Sequence, residues 1–175
     1  MSDSSKETST PGNAPAAADQ RPDEHPVPVR GRLLGLDFGT RRVGLAVSDE
    51  EQRLAVPLET YTVRNRDVDG RHLVAVIQDY RIVGLVVGLP LHMGGEEGQK
   101  AGEARQFGAW AVKVTGLPIA FWDERLTTSQ ADEHLSAANV KSKKRKLLRD
   151  KIAAQIMLQS YLDSRRASLQ SAKAT

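Results

Sequence analysis

The chain contains no cysteine, which excludes disulfides, thiolate nucleophiles and cysteine-ligated zinc together. Its histidines, His25, His72, His92 and His134, do not have metal-ligand spacing. No apolar run approaches the roughly 18 residues of a membrane span. The opening stretch also lacks the apolar core of a signal peptide, so the sequence reads as cytoplasmic, with no membrane partner. Large apolar side chains are scarce in residues 1–30, where Ser, Pro, Ala, Gly, Asp and Glu dominate. Such a segment cannot bury enough surface to offset its ordering entropy, and a disordered tail is expected there.

At 175 residues the remainder makes one domain, residues 31–166, with a short flexible tail over 167–175. Lys plus Arg number 25 against 22 for Asp plus Glu. The first 31 residues hold five of the acids and three of the bases, so the rest carries 22 bases against 17 acids, a net +5. That excess permits nucleic acid as a partner without requiring it.

From Arg32 the texture changes. "RLLGLDF", "VGLAVSD" and "LAVPLETYTV" are short β-type runs joined by "GTRR" and "EEQR". Connections that short make neighbouring strands antiparallel, which gives a three-stranded meander. Apolar residues at 73, 76, 77 and 80 then mark one helical face. "IVGLVVGLP" reads as a strand covered on both sides. A Gly-rich loop leads to a helix carrying Ala101, Ala104, Phe107, Ala111 and Val114, with Gly116 as its C-cap. "LPIAFW" makes a fifth strand, and Thr128 or Ser129 can cap a short helix after it. The segment from Asn139 opens as a basic loop and becomes a helix. Together these elements predict an α/β fold with a mixed five-stranded sheet, order 3-2-1-4-5, flanked by helices.

In that order three acids can converge: Asp37 ending strand one, Glu124 just past strand five, and Asp150 on the helix face shared with Ala153, Ala154, Met157 and Tyr161. Clustered carboxylates repel, and a cation is the natural resolution. Oxygen donors without Cys or His favour Mg²⁺ or Mn²⁺ over zinc. Two such ions suit phosphodiester hydrolysis. The basic run that includes Lys143, Lys144, Arg145 and Lys146 flanks Asp150 and can contact a phosphate backbone without reading sequence. Arg41 and Arg125 are further candidates for phosphate contact.

"LGLDFGTRRVGLAVSD", "VGLPLHMGGEEG", "WDERLTT" and "RDKIAAQIMLQSYLD" resemble, in order and spacing, the signature segments of the YqgF/RuvX family of bacterial proteins. The resemblance runs from about Leu33 to Asp163. It implies an RNase H-like fold and a metal-dependent nuclease, hydrolysing phosphodiester bonds with Asp37, Glu124 and Asp150 as catalytic and metal-holding acids. The family carries two functional names, pre-16S rRNA processing nuclease and Holliday junction resolvase. Resolvases of the related RuvC type carry a further acid one helical turn after the last one, where this chain has Ala153. That difference favours structured RNA, with processing of the 5′ end of pre-16S rRNA in ribosome biogenesis as the implied role. Branched DNA and recombination are the alternative substrate and role, and a non-catalytic nucleic-acid-binding factor is a third reading. Monomer and homodimer both remain open.

Each acid also has a plain structural reading. Asp37 can be satisfied by backbone amides or Arg41, Glu124 can pair with Arg125, and Asp150 can be a first-turn helix acid favoured by the helix dipole. "DFGT" alone also resembles the phosphate loop of actin-like ATPases and sugar kinases, which close two such domains over a nucleotide.

Overall fold

The computed structural model describes residues 27–126 and 142–173, the side chains of 142–151 and 172–173 excepted. Strands β1 (Arg32–Phe38), β2 (Arg42–Ser48) and β3 (Ala55–Thr62) are followed by α1 (Arg66–Tyr80), β4 (Ile82–Leu89), α2 (Gln99–Thr115), β5 (Ile119–Asp123) and α3 (Ser142–Lys173). The sheet order is β3-β2-β1-β4-β5, as the sequence predicts. β1 pairs antiparallel with β2 and parallel with β4, and β4 pairs parallel with β5. The carboxyl ends of β1, β4 and β5 therefore lie along one edge, where open α/β sheets place their ligands.

Side-chain alternation along each strand feeds two cores. Leu34, Leu36, Val43, Leu45, Leu85 and Val87 pack against α1 and α2, whose Leu73, Val76, Ala104, Phe107 and Ala111 complete that layer. On the other face Leu33, Ala46, Val86 and Ala120 meet Ala154, Met157, Leu158 and Leu162 of α3. The helix approaches β1 closely because Gly35 has no side chain. A Cβ there would lie 2.8 Å from Leu158 Cβ. Gln155 and Gln159 tie the same helix to the start of β3: the Ala55 N–H donates to Gln159 Oε1 at 2.8 Å, and Gln155 Nε2 donates to Ala55 O at 3.0 Å.

Asn65 caps α1, its Oδ1 accepting the Val68 N–H at 3.0 Å. Gly116 closes α2 with φ +69°, the left-handed conformation expected of it. Three segments depart from the sequence reading. Residues 142–149, read as part of a basic loop, are helical, since Lys, Arg and Leu are good helix formers and neither Gly nor Pro interrupts them. The helix also continues through Lys173, past residue 166. Residues 27–30, grouped with the tail, are held down: Val27 is buried in the α3-side core, and Arg165 donates to the carbonyls of Val27 and Pro28. The helix cap at Thr128 or Ser129 lies outside the described residues. Among the described residues no helix is long and apolar enough to cross a membrane.

Candidate active site

Asp37 is the penultimate residue of β1, and alternation turns it to the α3 face, opposite Phe38. Its cross-strand partner is Gly44. A Cβ at Gly44 would sit 3.5 Å from Asp37 Cβ and 3.3 Å from Ala154 Cβ, so the acid lies beside the inner face of α3. Leu36 pairs with Val87, which brings Asp37 level with Gly88 on the neighbouring strand. Glu124, one residue past β5, donates its N–H to Leu89 O at 3.2 Å and folds its side chain back over Gly88. A Cβ at Gly88 would lie 2.5 Å from Glu124 Oε1. The missing side chain at Gly88 is thus the space in which Glu124 approaches Asp37.

The electrostatics follow from that placement. Burial pushes the Glu124 carboxyl from its ordinary 4.5 up to about 7, helped by the negative charges of Asp37 and then Asp123 and opposed by Lys100. Near neutral pH this pair therefore does not readily carry two full charges. A cation could relieve the repulsion between two such carboxylates, and their all-oxygen donors are of the kind that Mg²⁺ or Mn²⁺ takes. Asp150 is helical in α3 and occupies the position one turn ahead of Ala154, but its side chain is outside the described set. Among the described residues no cluster of three His, Cys, Asp or Glu is assembled.

Arg125 does not pair with Glu124. Its guanidinium takes Asp123 instead, Nη2 to Oδ2 at 2.6 Å and Nε to Oδ1 at 3.0 Å, and this holds the Asp123 carboxyl below its usual range. Nη1 also donates to Met93 O at 3.0 Å and His92 O at 3.3 Å. It thereby pins the Gly-rich loop, residues 91–98, beside Glu124. The sequence reading missed Asp123; the signal was its place in "DER", at the last strand position, facing away from Glu124. Lys100, in the first turn of α2 and close enough to act on Glu124, was missed as well. Arg41 is exposed on the β1–β2 turn. Lys143, Lys144, Arg145 and Lys146 fall in the first turns of α3, without described side chains.

A central five-stranded mixed sheet, with acids at the carboxyl ends of its first and fifth strands and a helix crossing the first, defines an RNase H-like domain. Of the solved structures, Thermus thermophilus RuvC in complex with a Holliday junction substrate aligns with TM-score 0.51 at 16% identity, over 78% of this chain and 96% of that one. The family model described as "RuvX: Holliday junction resolvase" matches residues 31–164. The chain belongs to the RuvX family. Curated relatives include proteins of Rhodopirellula baltica, 39% identical over 78% of this chain and 79% of the relative, and of Koribacter versatilis, 41% identical over 81% and 93%. Both carry the name "Putative pre-16S rRNA nuclease".

Proposed function

We propose that the chain is a metal-dependent nuclease that processes the 5′ end of pre-16S rRNA in the cytoplasm. The observation that carries the hydrolytic reading is the Asp37–Glu124 pair, two carboxylates sharing one desolvated end of the sheet. Asp37, Glu124 and Asp150 would together hold the divalent ions at this end of the sheet. Mg²⁺ or Mn²⁺, when bound, supplies an activated water and neutralises charge on the scissile phosphate and leaving oxygen. The protein's part is to orient the acids, to exclude bulk water from Glu124, and to seat the backbone. Arg41 and the basic turns carrying Lys143, Lys144, Arg145 and Lys146 do the seating. Arg125 contributes from the loop beside Glu124.

The RNA assignment draws on the names of the relatives and on Ala153, which stands where RuvC-type resolvases have an acid. The family model's description favours a second reading, cleavage of branched DNA. Incubation with 5′-extended 16S precursor and a four-way DNA junction in competition, with Mn²⁺ or EDTA, separates them. Metal-dependent cutting of the RNA in preference to the junction is expected; cutting of the junction alone reverses the assignment. Salt-dependent binding with no cleavage of either favours the non-catalytic factor.

A further inference from the structure

On the sheet face opposite the carboxylates, a cleft of about 350 Å³ opens between the sheet, α1 and α2. That volume lies in the range of small-molecule sites. Phe38, Val43, Phe107 and Trp110 make apolar walls, and Arg64 and Arg66 stand at the mouth. Both arginines are exposed, as are Arg41 and Arg42 on the adjacent turn. That turn is joined to the mouth by the Val63 N–H, which donates to Arg41 O at 3.0 Å. The Arg66 guanidinium lies 4.7 Å from the Trp110 ring centroid, a flat cation already stacked on an aromatic wall.

Thr40, Tyr61, Asn65 and His72 add polar atoms to the lining, and Asp69 is its carboxylate. Asp69 lines the cleft, and its Oδ1 takes both the Tyr61 hydroxyl at 2.5 Å and the Arg64 N–H at 3.1 Å. No hydrogen bond from the described residues reaches Oδ2, which can accept an N–H from a ligand's edge. An apolar slot with an N–H acceptor inside and guanidinium groups at its rim matches a nucleobase with its phosphate. A purely hydrophobic ligand would make no use of the exposed guanidinium groups of Arg64 and Arg66 at the mouth. Position adds to this. Phe38 directly follows Asp37, so cleft and carboxylates share one strand end and are separated only by the sheet.

We propose that this cleft receives a single unstacked nucleobase of the substrate, with Arg64 and Arg66 on the flanking phosphate. The choice of occupant rests on the nuclease reading. A base drawn over the β1–β2 turn fixes the strand's position relative to Asp37 and selects for substrates with an unpaired nucleotide near the cut.

The chain's tryptophans are Trp110, in the cleft, and Trp122, which packs edge-on against Tyr161 of α3. A Trp122→Phe background leaves Trp110 as reporter. Its fluorescence is titrated with AMP and GMP, with ribose 5-phosphate and inorganic phosphate as base-free controls. A saturable change with the nucleotides and none with the controls is expected. Arg64→Glu should weaken it roughly tenfold, and Val63→Phe, which fills the cleft without adding a second tryptophan, should abolish it in protein whose melting curve shows it folded. No saturable change with either nucleotide, an equal response to ribose 5-phosphate, or undiminished binding in folded Val63→Phe overturns the proposal. The readout is binding without cleavage. Loss of the nucleotide signal beside intact RNA cutting removes the cleft alone, while nucleotide binding without metal-dependent cutting removes the nuclease reading alone.

Discussion

Replacing Glu124 by Gln should stabilise the metal-free protein, and the gain should depend on pH. Below about pH 4.5 Glu124 is protonated in both folded and unfolded chains, and the substitution changes little. Between 4.5 and about 7 the folded chain holds a proton that the unfolded chain has released, so wild-type stability falls as pH rises. Above 7 the folded chain carries the full cost of a desolvated carboxylate facing Asp37. A rise from 4.5 to about 7 is worth roughly 3 kcal/mol. Partial exposure screens some of that, which leaves about 2 kcal/mol. Urea denaturation in EDTA at pH 8 should show Glu124→Gln more stable by that amount, with the gap closing by pH 4.5. Mn²⁺ at pH 8 should narrow or invert it by binding the wild type. Equal stabilities at pH 8 in EDTA, or a gap that persists at pH 4.5, would refute the reasoning.

Gly88→Ala puts a methyl group where Glu124 Oε1 lies 2.5 Å away; turnover should fall roughly a hundredfold through misplacement of the carboxylate, while the melting temperature moves little because that side chain can swing aside. Gly35→Ala meets Leu158 Cβ at 2.8 Å and Ala154 O at 3.4 Å, so α3 must lift from β1. A loss of about 1–3 kcal/mol is expected from urea midpoints. Arg125→Lys keeps the charge but not the planar fork that takes Asp123, His92 and Met93 together. Hydrogen exchange over residues 91–98 should quicken, and an unchanged exchange rate there would show that Arg125 does not hold the loop.

The three-stranded meander and the buried fourth strand were legible because their signals are local. "GTRR" and "EEQR" are too short for anything but antiparallel neighbours, and the unbroken apolar run at 82–89 needed cover on both faces. Asp37 and Glu124 were legible as acids at strand ends. What joins them was not, since Gly88 reads in sequence as one more small residue in an apolar strand, and its use as a space appears only once Glu124 folds back over it. The plain alternative, Arg125 as partner of Glu124, fails because adjacency in sequence says nothing of which side each residue leaves the strand. The basic run at 143–146 looked like a loop because its charge masked its helix propensity. Val27, set with Val29 among prolines and charges, gave no periodicity to read, yet it is buried against α3. The aromatic cleft is built from residues of β1, β2, β3, α1 and α2, so no single stretch announces it.

The most direct test of the central claim compares wild type with Asp37→Asn for Mn²⁺-dependent cleavage of 5′-extended 16S precursor. The substitution keeps the side chain's shape and removes the charge from the site. Loss of turnover in the variant, with its fold intact by circular dichroism, is the predicted result. Wild-type turnover by Asp37→Asn would contradict the claim that Asp37, beside Glu124, holds the metal on which cleavage depends.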